Sequence, residues 1–363
     1  MTNDMKRLSR ALALTAAIAA SLAIAQPPPP PPAPQVPPSS DAAPPAPPAP
    51  PGTLTQLPAG VEARAGEAPE SRWQGELNRL DADLRLRLLT AHEPRSEWLA
   101  GELEGADIES QVRHYTAART AAPDEPLYQA SLASACLTRV RPPLPQCEAV
   151  DRLADWARRD GGNGLPSVLL ADRARQRGEL DLAVQNVEQA AMAPRFDDYW
   201  SQGALRWWDY LRPLPVDVDP AAKAKAAANY AVMHDLRWTS ALRALCADSG
   251  GRTPAMKAAC AKLGEAMTTR GATFALRRAG ARVAEINASD ANARAAAQLG
   301  QARLLEETAR CAQAQPDFAA ALESRDASTR ARGIEQFGAW ASAQAREGEV
   351  GACARIIAAA PVK

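Results

Sequence analysis

The chain has 363 residues, 46% of them hydrophobic, with 42 basic residues against 42 acidic ones. That balance excludes a basic footprint for nucleic acid, and the length allows one large helical array or two helical domains. Only six of the basic residues are lysines, and alanine is abundant, so arginine enrichment is a compositional habit of the chain and does not by itself mark a phosphate site.

Lys6, Arg7 and Arg10 precede an apolar run over 11–24, and Ala23-Ile24-Ala25 has the small-x-small form of a cleavage site. The sequence predicts a signal peptide at 1–25, a mature chain starting at Gln26, and a periplasmic or secreted protein. The apolar run is shorter than the ~18–20 residues of a membrane span. No Cys follows the cleavage site to take a lipid, and no later stretch reads as a span. Without residues 1–25 the balance is 39 basic against 41 acidic residues. Residues 26–53 are dominated by Pro, Ala and Ser. Such a segment has little to bury and few amide donors, so it reads as an extended tether, on the order of 80 Å at ~3.1 Å per residue.

Helical periodicity starts near 70. Trp73, Leu77, Leu80, Leu84 and Leu88 form one stripe over 70–91, and Pro94 breaks it. Helices follow over 96–104 and 107–121. A hairpin over 124–140 and 147–159 carries a proline-stiffened loop. The clearest pattern lies over 163–198. Leu170, Ala171 and Ala174 share one face of a first helix, Gly178 closes it, and Leu180, Ala183, Val187 and Ala190 mark one face of a second that Pro194 stops. The small residues permit close approach of two helix backbones.

This stretch resembles one tetratricopeptide repeat. Leu170 and Ala171 fit its Leu-Gly position, Gly178 its turn, and Ala183 and Ala190 its two small positions. Ala174 stands where an aromatic is usual, Ser167 where Trp is usual, and Pro194 comes one residue early. Tyr115, Ala118 and Pro123 are spaced like the second helix of another such repeat. The resemblance implies an all-α fold of antiparallel hairpins stacked as a solenoid.

A helix over 197–211 concentrates aromatics: Phe196, Trp200, Trp207 and Leu211 fall on one face, while Trp208 and Tyr210 lie off it. The first set reads as core. Trp208 and Tyr210 read either as covered by a following lobe or as lining a groove rimmed by Arg206 and Arg212. Proline and short polar residues near 216–219 suggest a boundary between lobes at 54–215 and 216–363. Asp219-Pro220 and Thr253-Pro254 are helix starts, an N-cap followed by Pro at the first helical position. The first of these helices extends to 246, and others are expected over 272–286, 290–313, 328–346 and 350–359. No stretch alternates with β-branched residues, so no sheet is expected.

Six cysteines in an exported chain indicate disulfides. Cys136 and Cys147 flank one loop between helices and Cys246 and Cys260 flank another. Cys311 and Cys353 then pair by elimination. No Cys-x-x-Cys and no His beside a Cys supports a metal or redox reading.

Catalytic and cofactor motifs are missing: there is no G-x-S-x-G, P-loop, H-E-x-x-H or dinucleotide fingerprint. His92, His114 and His234 are scattered. No catalytic residue, cofactor or metal is nominated. The leading expectation is a protein-protein interaction scaffold of the cell envelope that takes a protein or peptide partner. The alternative is an envelope enzyme acting on peptidoglycan or peptides, with a site assembled from distant residues.

Overall fold

Helix starts in this protein are set by short acids, threonines and prolines. A computed structural model describes residues 70–104, 107–137, 144–148, 151–232, 237–247 and 252–359. The expected signal peptide (1–25) and tether (26–53) lie outside the described residues. Among the described residues the helices are α1 (Glu70–Thr90), α2 (Pro94–Leu103), α3 (Ile108–Ala121), α4 (Pro126–Cys136), α5 (Pro145–Glu148), α6 (Arg152–Arg159), α7 (Leu165–Gln176) and α8 (Leu180–Met192). They continue with α9 (Trp200–Leu211), α10 (Pro220–Val232), α11 (Trp238–Cys246), α12 (Pro254–Arg270), α13 (Phe274–Ile286), α14 (Ala291–Ala314), α15 (Phe318–Glu323) and α16 (Ala327–Ala359). Asp107, Asp151, Thr253, Thr273, Asp290 and Asp317 each accept a backbone N–H of the first turn they precede, satisfying donors that the helix itself leaves open.

The fold is all-α, and no strand forms among the described residues. Two isolated parallel bridges do occur, between Asn163 and Arg195 and between Phe196 and Gly271. Arg72–Lys363 forms one compact unit, and one core cluster runs from Trp73 on α1 to Phe337 on α16. The stretch at 216–219 is therefore bridged by packing: α9 on one side of it lies against α10 and α16 on the other. The expected stripe of α1 is the buried one, with Trp73, Leu80, Leu84 and Leu88 all in the core. Polar contacts tie the same helix down. Trp73 Nε1 donates to Glu323 at 2.6 Å, and Tyr230 Oη donates to Asp81 at 3.1 Å.

Successive helices pack as neighbours from α2 through α4, then α4 on α6, α6 on α7 and α7 on α8. The α7–α8 hairpin buries Ala171, Ala174, Ala183, Val187 and Ala190, and Gly178 takes a φ of 78° at the turn, a conformation that costs glycine nothing. Two expected positions differ. Leu170 is only half-buried and Leu180 is 50% exposed, because Val168 and Leu169 turn inward and Leu180 starts its helix beyond the reach of α7. Past α8 sequential pairs such as α9–α10 and α12–α13 still pack, but non-sequential ones join them: α11 lies on α7, α12 on α8, and α9 with α10 packs against α16.

Three helix spans differ from expectation. The helix expected over 147–159 is split into α5 and α6, since Asp151 caps α6 afresh and holds Arg173 with two 2.7 Å bonds. The helix expected over 219–246 ends at Val232, and α11 restarts after Arg237, which sits at φ 56°. The helices expected over 328–346 and 350–359 run together as α16 but break at Gly348, whose φ is 72° and ψ 167°. A Cβ there would meet Ala272 O at 2.8 Å, so both the dihedral and the contact require glycine. The break frees Val350 N to donate to Ala272 O at 3.1 Å and lets Glu349 accept from Phe274 N at 2.8 Å, clamping α16 onto the turn between α12 and α13.

All six cysteines are paired. Cys136–Cys147, Cys246–Cys260 and Cys311–Cys353 have Cα separations of 5.4, 5.6 and 5.5 Å. Among the described residues no helix is long and apolar enough to cross a membrane.

Candidate functional site

The aromatic helix is shorter than its sequence pattern suggests, and its inward faces differ. Phe196 precedes it, in extended backbone, with its N–H donating to Arg270 O at 3.1 Å and its carbonyl accepting from Ala272 N at 2.8 Å. Tyr199, at φ 58°, turns the chain into α9, held there by its own N–H on Asp197 Oδ1 at 2.8 Å. Of the two readings of Trp208 and Tyr210, covered or lining a groove, the burial favours the covered one, at 3% and 8% exposure, whereas Trp200, expected in the core, is only partly buried. The cause is double coverage of α9. Trp207 meets Tyr230 of α10 with centroids 4.5 Å apart, and Trp208 meets Phe337 of α16 edge-on at 5.2 Å. Gly338 admits that ring, since a Cβ on it would lie 2.8 Å from Trp208 Nε1. Arg206 is paired with Glu125, and Arg212 lies over the Trp208 ring at 5.9 Å. The four residues thus form a core seam and its polar edge.

Beside the start of α9 the chain builds a polar junction that helical periodicity does not announce. Gly164 N donates to Arg195 O at 2.9 Å and Arg195 N to Gly162 O at 3.2 Å. With the Phe196 and Val350 bonds, a short backbone ladder joins 162–164, 195–196, 271–272 and 350. Asn163 reinforces it, its Nδ2 donating to Asp197 O at 2.8 Å and its Oδ1 accepting from Asp197 N at 3.1 Å. Asp160 is buried and accepts from Trp156 Nε1 at 3.2 Å, from the Tyr199 hydroxyl and from Arg195. Burial first, and then the Asp160 charge, holds the Tyr199 phenol well above its ordinary range. Burial likewise raises the Asp197 carboxyl, against the opposing pull of the Tyr199 N–H and Arg195.

This junction walls a cleft of about 640 Å³ that also touches the α12–α13 turn, α14 and the kink of α16. Its lining includes Ser201, Arg277, Glu307, Gln344 and Arg346. Ser201 is 6% exposed and its hydroxyl has no hydrogen-bond partner among the described residues. Arg277 spends only its Nε, on Gly271 O at 2.9 Å, and burial depresses its pKa while Glu307 partly restores it. A second depression, a groove of about 680 Å³ between α8 and α12, is lined by Glu188, Ala191, Met192, Lys262, Glu265 and Thr269 among others. Met192 stands 74% exposed at its lip. Its bounding helices are pinned by Arg270, which donates to Ala193 O at 2.5 Å and Ala191 O at 2.6 Å and so caps the C-terminus of α8 with a cation.

His92 and His114 flank Glu97, at 3.3 and 2.7 Å, away from both depressions. His234 lies outside the described residues. Among the described residues no group of three or more His, Cys, Asp or Glu is placed to hold a metal ion. The residues of the junction and cleft escape a sequence reading because they come from separate segments. The pair Asp197-Asp198 ahead of an aromatic helix is the one local signal. No family model matches the chain, and no curated protein and no solved structure is similar to it at a significant level.

Proposed function

We propose that the chain is an exported, tethered α-helical protein that binds a protein partner in the cell envelope through the groove between α8 and α12. The supporting observation is an exposed apolar side chain at the lip of that groove. Met192 of α8 is 74% exposed in a groove whose walls carry both charge signs. A large apolar side chain left in water next to charges of both signs suits a partner that covers it and reads register by charge. Three disulfides support an oxidising compartment, and the signal-like segment at 1–25 supports export. The geometry of the α7–α8 hairpin supports a helical-repeat reading of the tetratricopeptide type.

A photo-crosslinking amino acid placed at Met192 in the exported chain tests this reading. One protein recovered reproducibly from the envelope, and lost when Lys262 and Glu265 are exchanged in sign, is the expected result. No adduct at Met192, with adducts scattered equally over control positions on α14, overturns it. The enzyme alternative has one observation in its favour: Asp197 and Glu307 both line the cleft, and burial raises the first.

A further inference from the structure

The cleft beside α9 is a site in its own right, separate from the groove that the partner reading uses. Buried polar groups are normally satisfied, and one that is not calls for an explanation. Here one lines the cleft, the Ser201 hydroxyl. Gln344, 3% exposed, also lines the cleft and offers it an amide. An amide and a hydroxyl each donate and accept, so neither by itself selects a charge. Selection comes from Arg277 and Glu307. Both line the cleft and each lies within the other's field, but among the described residues they form no ion pair. The two terminal nitrogens of Arg277 and both carboxylate oxygens of Glu307 are left unspent. Of the other lining charges, Asp197 is engaged with Arg195 at 3.5 Å and with the Tyr199 N–H, Glu347 with Arg355 at 2.9 Å, and Arg270 with the end of α8, while Arg346 stands exposed at the rim and adds a second cation.

A lining that offers a cation, an anion and neutral hydrogen-bonding groups complements a ligand that carries both charges. The first turn of α9, on which Ser201 sits, adds partial positive charge that favours a carboxylate nearby. A volume of about 640 Å³ lies inside the range of roughly 300–1,000 Å³ typical of small-molecule sites. It exceeds one small amino acid and suits a short peptide with both ends free. We propose that this cleft binds a small zwitterion, an α-amino acid or short peptide, whose carboxylate pairs with Arg277, whose ammonium pairs with Glu307, and whose polar atoms engage Gln344 and Ser201.

The test uses the oxidised, exported chain and calorimetric titration with alanine, dialanine and trialanine up to tens of millimolar. N-acetyl-alanine and alaninamide, each lacking one charge, serve as controls. Saturable heat with at least one of the first three and none with the controls is the expected result. Alanine alone binding identifies an amino-acid site, and the longer chains binding more tightly identifies a peptide site. Glu307 makes no bond among the described residues that holds the fold, so Glu307→Gln tests the site without threatening folding. It should weaken binding about tenfold or more, the loss expected for one charge-assisted pair. Gln344→Leu should do the same while the melting temperature stays close to that of the wild type, since leucine fills a similar volume. Three results overturn the site: no heat from any zwitterion, equal heat from the singly charged controls, or full binding by Glu307→Gln. None of them bears on the α8–α12 groove, which the Met192 crosslink reads separately.

Discussion

Trp208 and Trp200 exchange the roles that single-face periodicity assigns them. A helix read from sequence is given one inward stripe, and on that reading Trp200 is core while Trp208 is spare. In the structure α9 is covered from two sides, and the ring that meets Phe337 at 5.2 Å is Trp208. Trp208→Ala should therefore cost about 3–5 kcal/mol, the usual loss for truncating a buried large aromatic. Trp200→Ala, at a partly exposed site, should cost about 1 kcal/mol or less. Chemical denaturation of both variants measures the difference, and equal losses would return α9 to a one-faced helix. Asp326 gives a second residue-scale expectation. It accepts from Thr329 N at 2.8 Å and from the Ser328 hydroxyl at 2.7 Å ahead of α16, and these bonds bring its pKa down from 3.8 to about 2. A carboxylate depressed on folding stabilises the native state above its unfolded pKa, and that support disappears as pH falls through the folded value. Between about pH 4 and pH 2 the wild type should therefore lose stability faster than Asp326→Asn, which keeps an accepting oxygen but cannot titrate. Parallel acid titrations followed by circular dichroism check this.

At the scale of elements, the sequence is legible where a signal is local. Asp107, Asp290 and Thr253-Pro254 start helices because a side-chain oxygen or a fixed φ acts within one turn. The two cysteine pairs that flank loops are likewise readable, because chain connectivity keeps their ends close. What the sequence conceals is how closely two helices cross. Gly264 and Gly280 carry no apolar signal that would mark them as core, yet they form the contact between α12 and α13. A Cβ on Gly264 would lie 2.4 Å from Ala284 N, and one on Gly280 would lie 2.6 Å from Thr268 N. Both obstacles are backbone, which cannot rotate away. Gly280→Val should force the pair apart and destabilise by several kcal/mol, well beyond the roughly 1 kcal/mol that helix propensity would return for replacing glycine. Gly300, where an added Cβ would meet nothing within 4 Å, is the control: Gly300→Ala should raise the melting temperature.

For the whole molecule, the helical class follows from composition and period, but the order in which helices become neighbours does not. The placement of α11 on α7 and α12 on α8 depends on the ladder at 162–164, 195–196, 271–272 and 350, built from glycines and single extended residues that carry no periodic signal. The same placement separates the three disulfides by role. Cys136–Cys147 and Cys246–Cys260 span 11 and 14 residues within or beside the main core, and each is worth around 3 kcal/mol on the chain-entropy account. Cys311–Cys353 spans 42 residues and belongs to a small second cluster with Phe274 and Val350. On α14, Leu304 and Cys311 are the buried residues, while Leu299 and Leu305 are 54% and 59% exposed, so this bond supplies much of what fastens that helix. Replacing Cys311 and Cys353 together by Ser should then loosen α14 and the end of α16 locally. Hydrogen exchange should accelerate over 291–314 and 350–359 while the α7–α8 hairpin keeps its protection, because regions with few buried contacts open without global unfolding. The corresponding change at Cys246 and Cys260 should instead lower protection across the main core. Uniform acceleration in the Cys311 and Cys353 variant would mean that the second cluster is one cooperative unit with the first, and that α14 is held by the whole molecule and not by one bond.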